Sequence, residues 1–205
     1  MTVNIDLTDV VLDTERLILR TWREDDLNDF YEYASVEGVG EMAGWLHHAC
    51  LENTRAILDC FIAEKNVFAI QLKESDKVIG SLGFHKSWTE GKKKYAHLKA
   101  VEIGYVLSED YWGKGLMTEA VKRAIKYLFE ETSSEAVTVA HFIGNYRSEG
   151  VIRKCGFKFA EESEYYSIQM KKSFDSKSTY QSLPSRKPEK PESPKLYEGI
   201  NLPLF

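Results

Sequence analysis

Residues 101–121 read "VEIGYVLSEDYWGKGLMTEAV". Their first seven residues are mostly apolar and β-prone, as in a strand, and a turn carrying Gly113 and Gly115 follows. From Met117 the apolar residues Ala120, Val121, Ala124, Ile125 and Leu128 recur at helical spacing. Strand, glycine turn, helix is an arrangement that cradles an anion. The amides at a helix start have no partner in their own helix, the dipole adds positive potential, and glycine lets a ligand approach the backbone. Each charge-assisted hydrogen bond there is worth about 1.5–3 kcal/mol. A bare Gly-x-Gly also serves as an ordinary tight turn. The chain has no GxxxxGK[ST] segment and the turn lacks the third glycine of a dinucleotide fingerprint, which disfavours nucleoside triphosphates and nicotinamide cofactors.

Working outward, "RLILRTW" (16–22) reads as a strand and "EDDLNDFYEYAS" (24–35) as a helix with acids at its positive end. A second helix is expected over "LENTRAILDCFIAE" (51–64), with Ile57, Leu58, Phe61 and Ile62 inward. "VFAIQLK" (67–73) and "VIGSLGFH" (78–85) flank the turn "ESDK" and predict a hairpin. After the central motif, "AVTVAHFI" (136–143) predicts a strand and "SEGVIRKC" (148–155) a short helix closed by Gly156. "FKFAEE" (157–162) and "YYSIQMK" (165–171) read as a last strand pair. The sum is an α/β fold, a mixed sheet with helices on its faces.

The 205 residues suffice for one substantial core, and a net charge of −5 argues against a nucleic-acid wrapper. Cys50, Cys60 and Cys155 have no zinc-type or disulfide spacing and are expected to be small buried hydrophobes. The first residues lack a secretory pattern and no apolar run approaches bilayer length, so a soluble, cytoplasmic protein is expected. All five prolines follow residue 183, and "SLPSRKPEKPESPKLYEG" (182–199) reads as an extended arm. The expected division is a domain over residues 1–170 and an arm over 171–205, whose apolar end "INLPLF" docks on its own body or on a neighbouring subunit of a homodimer.

Four segments in order, "TERLILRTWREDD", "VIGSLGF", "VEIGYVLSEDYWGKGLMTEAV" and "NYRSEGVIRKCGF", make the chain from about Leu12 to Met170 resemble the GCN5-related N-acetyltransferases (GNAT), in the branch of the ribosomal-protein N-terminal (RimJ/RimL-type) enzymes. The resemblance implies a splayed central sheet and acetyl-coenzyme A bound with its pyrophosphate over Trp112, Gly113, Lys114, Gly115, Leu116 and Met117. Val106 and Leu107 would run beside the pantetheine arm. The family turn is Gln/Arg-x-x-Gly-x-Gly/Ala; here Trp112 opens it and Met117 closes it, narrowing the last approach. Asn145 and Ser148 match the Asn-x-x-Ser of the second motif, the asparagine for pantetheine or nearby backbone and the hydroxyl for the leaving thiolate. Ser148 also suits a helix N-cap. The tyrosine acid that relatives often carry is Ile152 here. Glu102 matches an acid of this branch that would draw the amine's proton through water; a plain outward-facing strand acid is the other reading.

The expected reaction is acetyl transfer to a primary amine, favouring a protein N-terminus, with a small-molecule amine or a non-catalytic acyl-coenzyme A sensor as alternatives. No metal is expected: adjacent His47 and His48 point apart. Trp45 is core or acceptor-pocket wall, and Lys92–Lys94 reads as a solvated loop.

Overall fold

The computed structural model describes residues 3–183. Strands are β1 (Leu12–Asp13), β2 (Leu17–Thr21), β3 (Val67–Leu72), β4 (Val78–Lys86), β5 (Ala100–Leu107), β6 (Ala136–Phe142), β7 (Lys158–Ser167) and β8 (Lys172–Ser182). Helices are α1 (Leu27–Ala34), α2 (Leu51–Glu64), α3 (Leu116–Glu131) and α4 (Tyr146–Lys154). One sheet runs β1-β2-β3-β4-β5-β6-β8-β7. Its neighbours are antiparallel except β5 and β6, joined by the crossover helix α3.

The apolar stripe of α3 is the reason it crosses there. Met117, Ala120, Val121, Ala124, Ile125 and Leu128 are all buried, against Leu19, Phe68, Leu82, Val101 and Ile103 of the sheet. Full burial of each larger side chain is worth about 1.5–3 kcal/mol. The other face carries α1 and α2, which bury Phe30, Tyr33 and Leu58 against Trp22, Val67, Ala69 and Val78. Ile57, Phe61 and Ile62 of α2 pack on this second cluster only partly buried. A buried, doubly hydrogen-bonded Arg20–Asp26 pair, both contacts 2.8 Å, ties β2 to the turn that starts α1.

Three expectations are corrected. Residues 157–171 do not form a strand pair: β7 runs through to Ser167, because no glycine or proline interrupts it, and reverses at Ile168–Lys171 with Lys171 at φ 50°. Its partner β8 pairs with β6 and β7 along its length, so the expected boundary at 170/171 falls within the hairpin and the sheet extends to Ser182. Cys60 is exposed and Cys50 half-buried; only Cys155 behaves as a buried hydrophobe. The proline-rich arm from residue 184 onward, and its docking, lie outside the described residues. No described helix is long and apolar enough to cross a membrane.

Candidate active site

The parallel pairing of β5 and β6 covers Ala100↔Ala136, Val101↔Val137 and Glu102↔Thr138. Beyond that pair the strands part: β5 stays on β4 as far as Leu107↔Gly80, and β6 stays on β8 as far as Phe142↔Ser176. The result is a splay in the sheet at the carboxyl ends of two parallel strands, a position where α/β sheets place ligands. Ser108 N–H donates to Ile79 on the β4 side at 2.8 Å, so by alternation Ile103, Tyr105 and Leu107 turn their backbone groups toward the splay. An extended ligand could pair there. Of the two residues expected beside a pantetheine arm, Leu107 has its backbone on this edge, with its carbonyl taking the Trp112 indole N–H at 2.9 Å. Val106 has its backbone turned to β4.

The glycine turn stands at the mouth of the splay. Gly113 and Gly115 have φ 75° and 79°, a left-handed conformation in which other L-residues are strained, and Gly115 is the N-cap of α3. The first helical bond is Glu119 N–H to Gly115 carbonyl at 3.1 Å, so the amides of Leu116, Met117 and Thr118 precede the helical ladder. Met117 does not obstruct them: its side chain is buried in the core under α3, away from the cradle. Positive charge surrounds the turn. Lys114 lies over the Tyr111 ring, and the Arg147 guanidinium from α4 stacks 4.1 Å from the Trp112 ring centre.

Arg16, absent from the sequence reading of the site, holds the cradle in place. It donates to Lys114 carbonyl at 3.0 Å and to Glu119 at 2.8 Å, and Glu119 also takes the Thr14 hydroxyl at 2.7 Å. Partial burial pushes the Glu119 carboxyl up, but the hydrogen bonds from Thr14 and Arg16 outweigh it and leave its pKa lowered. The clue in the sequence was the first quoted motif, "TERLILR", whose Thr14 and Arg16 reach a residue more than a hundred positions away.

On the α3/α4 side of the splay stands Ser148. It is not the N-cap: α4 starts two residues earlier, and Asn145 caps it by accepting Ser148 N–H at 3.1 Å. The Asn145 amide also donates to Met42 carbonyl at 3.2 Å, so both ends of its side chain engage backbone. Ser148 is therefore released from capping, and its hydroxyl lies 2.8 Å from that of Tyr105 on β5. Burial pushes the Tyr105 phenol up, keeping it protonated. Ile152 is buried, and the tyrosine whose hydroxyl meets Ser148 is Tyr105.

Glu102 emerges on the opposite face, where α1 and α2 pack. It is half-buried and accepts Trp88 N–H at 2.8 Å, so it is not a plain solvated acid. Burial pushes its carboxyl up, against the hydrogen bonds from Trp88 and Thr138. Residues 36–50 cover this side. Their short turn Glu41–Ala43 lies against β5, Ser167 on β7 donates to Gly44 carbonyl at 2.8 Å, and Gln169 accepts Leu46 N–H at 3.1 Å. Burial raises the Glu41 carboxyl, yet hydrogen bonds from the His47 backbone and ring and from Gly38 prevail and hold its pKa at about 2. His48 bonds Thr54 at 2.8 Å, and Trp45 packs partly buried on the α1/α2 cluster, which favours core over an open pocket wall. Lys92 pairs with Glu161, and Lys94 lies over Tyr95.

The family model for the acetyltransferase (GNAT) domain matches residues 16–158. The uncharacterized N-acetyltransferase YoaA of Bacillus subtilis is 24% identical over 153 residues, covering 72% of this chain and 82% of the relative. A GNAT-family acetyltransferase structure from Bacillus anthracis superposes with TM-score 0.73 at 22% identity, over 84% of this chain and 98% of that one. RimL, described as a ribosomal L7/L12 alpha-N-protein acetyltransferase in complex with coenzyme A, superposes with TM-score 0.66 at 15% identity, over 85% and 98%.

Proposed function

The chain belongs to the GNAT acetyltransferase family, and from that premise we propose that this N-acetyltransferase acts on the α-amine of a protein N-terminus. The observation that carries the reading is the splay itself, with an acid on one face at Glu102 and a hydroxyl pair on the other at Ser148 and Tyr105. The residues present fit acetyl-coenzyme A. Two left-handed glycines, the amides at the start of α3 and the cations of Lys114 and Arg147 suit a pyrophosphate, and the open edge of β5 suits an extended arm. Bound there, acetyl-coenzyme A supplies an activated acetyl thioester.

The chain's own residues orient and move protons around it. Gly113 to Met117 would hold the phosphates, and Trp112 and Leu107 would fix the strand end beside the arm. Glu102 would attract the incoming ammonium by charge and draw its proton through water. Ser148 would donate a hydrogen bond to the departing sulfur, because Tyr105 can in turn donate to the serine oxygen. Asn145 would act through position, by setting the first turn of α4 and thereby Ser148.

The choice of acceptor follows from energetics and likeness. Freeing an α-amine at pH 7 costs about 1 kcal/mol, against about 4.6 for lysine, so a modest base suffices for the former. The RimL likeness supports the same class. Thiol release from acetyl-coenzyme A, measured with a panel of peptides, lysine derivatives and small amines, tests it. Turnover is expected with peptides bearing a free N-terminus; turnover confined to small amines would contradict the reading.

A further inference from the structure

His85 is the residue of this face that neither the motifs nor the mechanism above uses. It stands on β4 directly opposite Glu102, so both side chains leave the same face of the sheet. Just beyond them Gly83 and Gly104 form the next cross-strand pair on that face. A Cβ built on Gly83 would lie 2.9 Å from His85 Nε2, and one on Gly104 would lie 3.1 Å from it. The paired glycines thus leave a trough, and the imidazole lies in it. Gly104 follows the last β5–β6 pair, which sets the ring at the edge of the splay.

The other histidines are committed or remote. His47 is held by Glu41, His48 by Thr54, and His141 is buried with its ring on Phe142 carbonyl. His97 is on the exposed loop before β5. Among the described residues neither ring nitrogen of His85 has a hydrogen-bond partner, and the residue is exposed to solvent at the lip of the trough. Protein atoms around the ring disfavour the imidazolium and lower its pKa, against the opposing pull of Glu64 at the end of α2. Around it stand Glu64 from α2, the apolar Val67 from β3 and its cross-strand neighbour Glu102, whose carboxylate is turned to Trp88 N–H.

We propose that His85 is the group that first takes the proton of the incoming amine. The proposal rests on the acetyltransferase reading and deepens it. The ammonium gives one proton to the neutral imidazole, and the freed nitrogen pair forms the N–C bond to the acetyl carbon. The C–S bond breaks with its electron pair going to sulfur. The nitrogen's second proton is the one that Glu102 draws off through water, and of the two protons one ends on the thiol while the other is released. Base and leaving-group partner then stand on opposite faces of the splay.

The test compares wild type, His85→Ala and His85→Gln in thiol release with an N-terminal peptide, from about pH 6 to about pH 9, where a general base leaves its limb on the rate profile. NMR follows the wild-type His85 ring as the peptide alone is added. Expected are a roughly 100-fold fall in kcat with coenzyme affinity kept, partial recovery of His85→Ala by added imidazole, and a variant profile shifted toward the amine's own pKa near 7.8. The ring signal should move with peptide. Full kcat with an unchanged profile overturns the proposal, as does a loss that imidazole does not restore and that falls equally on coenzyme affinity. Should the variants fail to fold, a ring signal indifferent to peptide overturns it. An active wild type with an indifferent His85 removes this inference alone; a wild type inactive on every acceptor removes the acetyl-transfer reading with it.

Discussion

Tyr105 and Ser148 come from β5 and α4, and their 2.8 Å contact spans the splay on one face. If the tyrosine serves to free the serine hydrogen for sulfur, the two act as a unit and their losses should not add. Ser148→Ala is expected to lower kcat by about tenfold, Tyr105→Phe by less, and the double variant by little more than the first, measured by steady-state kinetics with coenzyme affinity unchanged. Glu102 carries a cost in the folded protein. Its pKa is raised above the ordinary 4.5, so the penalty is absent below that value, builds as pH rises through the folded pKa and is complete above it. Glu102→Gln should therefore raise the melting temperature at neutral pH while lowering turnover, and the gain in stability should vanish in acid. Thermal melts at pH 7 and near pH 4 check the sign. Glu102 and Ser148 can be singled out in the sequence by matching motifs; the contact of Tyr105 with Ser148 and the trough under His85 cannot, because each depends on a partner on another strand or helix.

At the scale of elements, the cradle depends on how α3 is started and held. Gly115→Glu adds a charge and a strained side chain where the phosphates would sit, so calorimetry should find acetyl-coenzyme A binding abolished. Glu119→Ala touches no expected ligand atom, yet it removes the anchor of Arg16 and Thr14. Losing a charge-assisted bond of about 1.5–3 kcal/mol should weaken coenzyme affinity by about 10-fold or more with α3 intact by circular dichroism. The strand, turn and helix of residues 101–121 could be read directly because periods of 2 and 3.6 change over at a glycine turn. The start of α4 could not. Asparagine and serine both favour caps, and only the helix beginning at Tyr146 decides for Asn145. The long hairpin of β7 and β8 was misjudged for want of a punctuating residue.

At the scale of the whole molecule, the eight strands of the described residues are arranged so that the one parallel pair among them, β5 and β6, separates after three residue pairs. That separation gives the sheet two chemically distinct faces meeting at one gap, with the amides that precede the helical ladder of α3 at its mouth. The fold class and the strand, glycine turn and helix of residues 101–121 were legible because they rest on local pattern. The lid-like crossing of residues 36–50 onto β7 was not, since it depends on contacts such as Ser167 to Gly44 between distant segments. We propose that this arrangement transfers an acetyl group to a protein α-amine. The direct measurement is mass-spectrometric mapping of the acetyl group on one peptide that offers both a free N-terminus and an internal lysine, after incubation with the protein and acetyl-coenzyme A. Acetyl on the α-amine, with the lysine unmodified, is the predicted result; acetyl on the lysine alone, or an unmodified peptide under conditions where a small amine is acetylated, would contradict it.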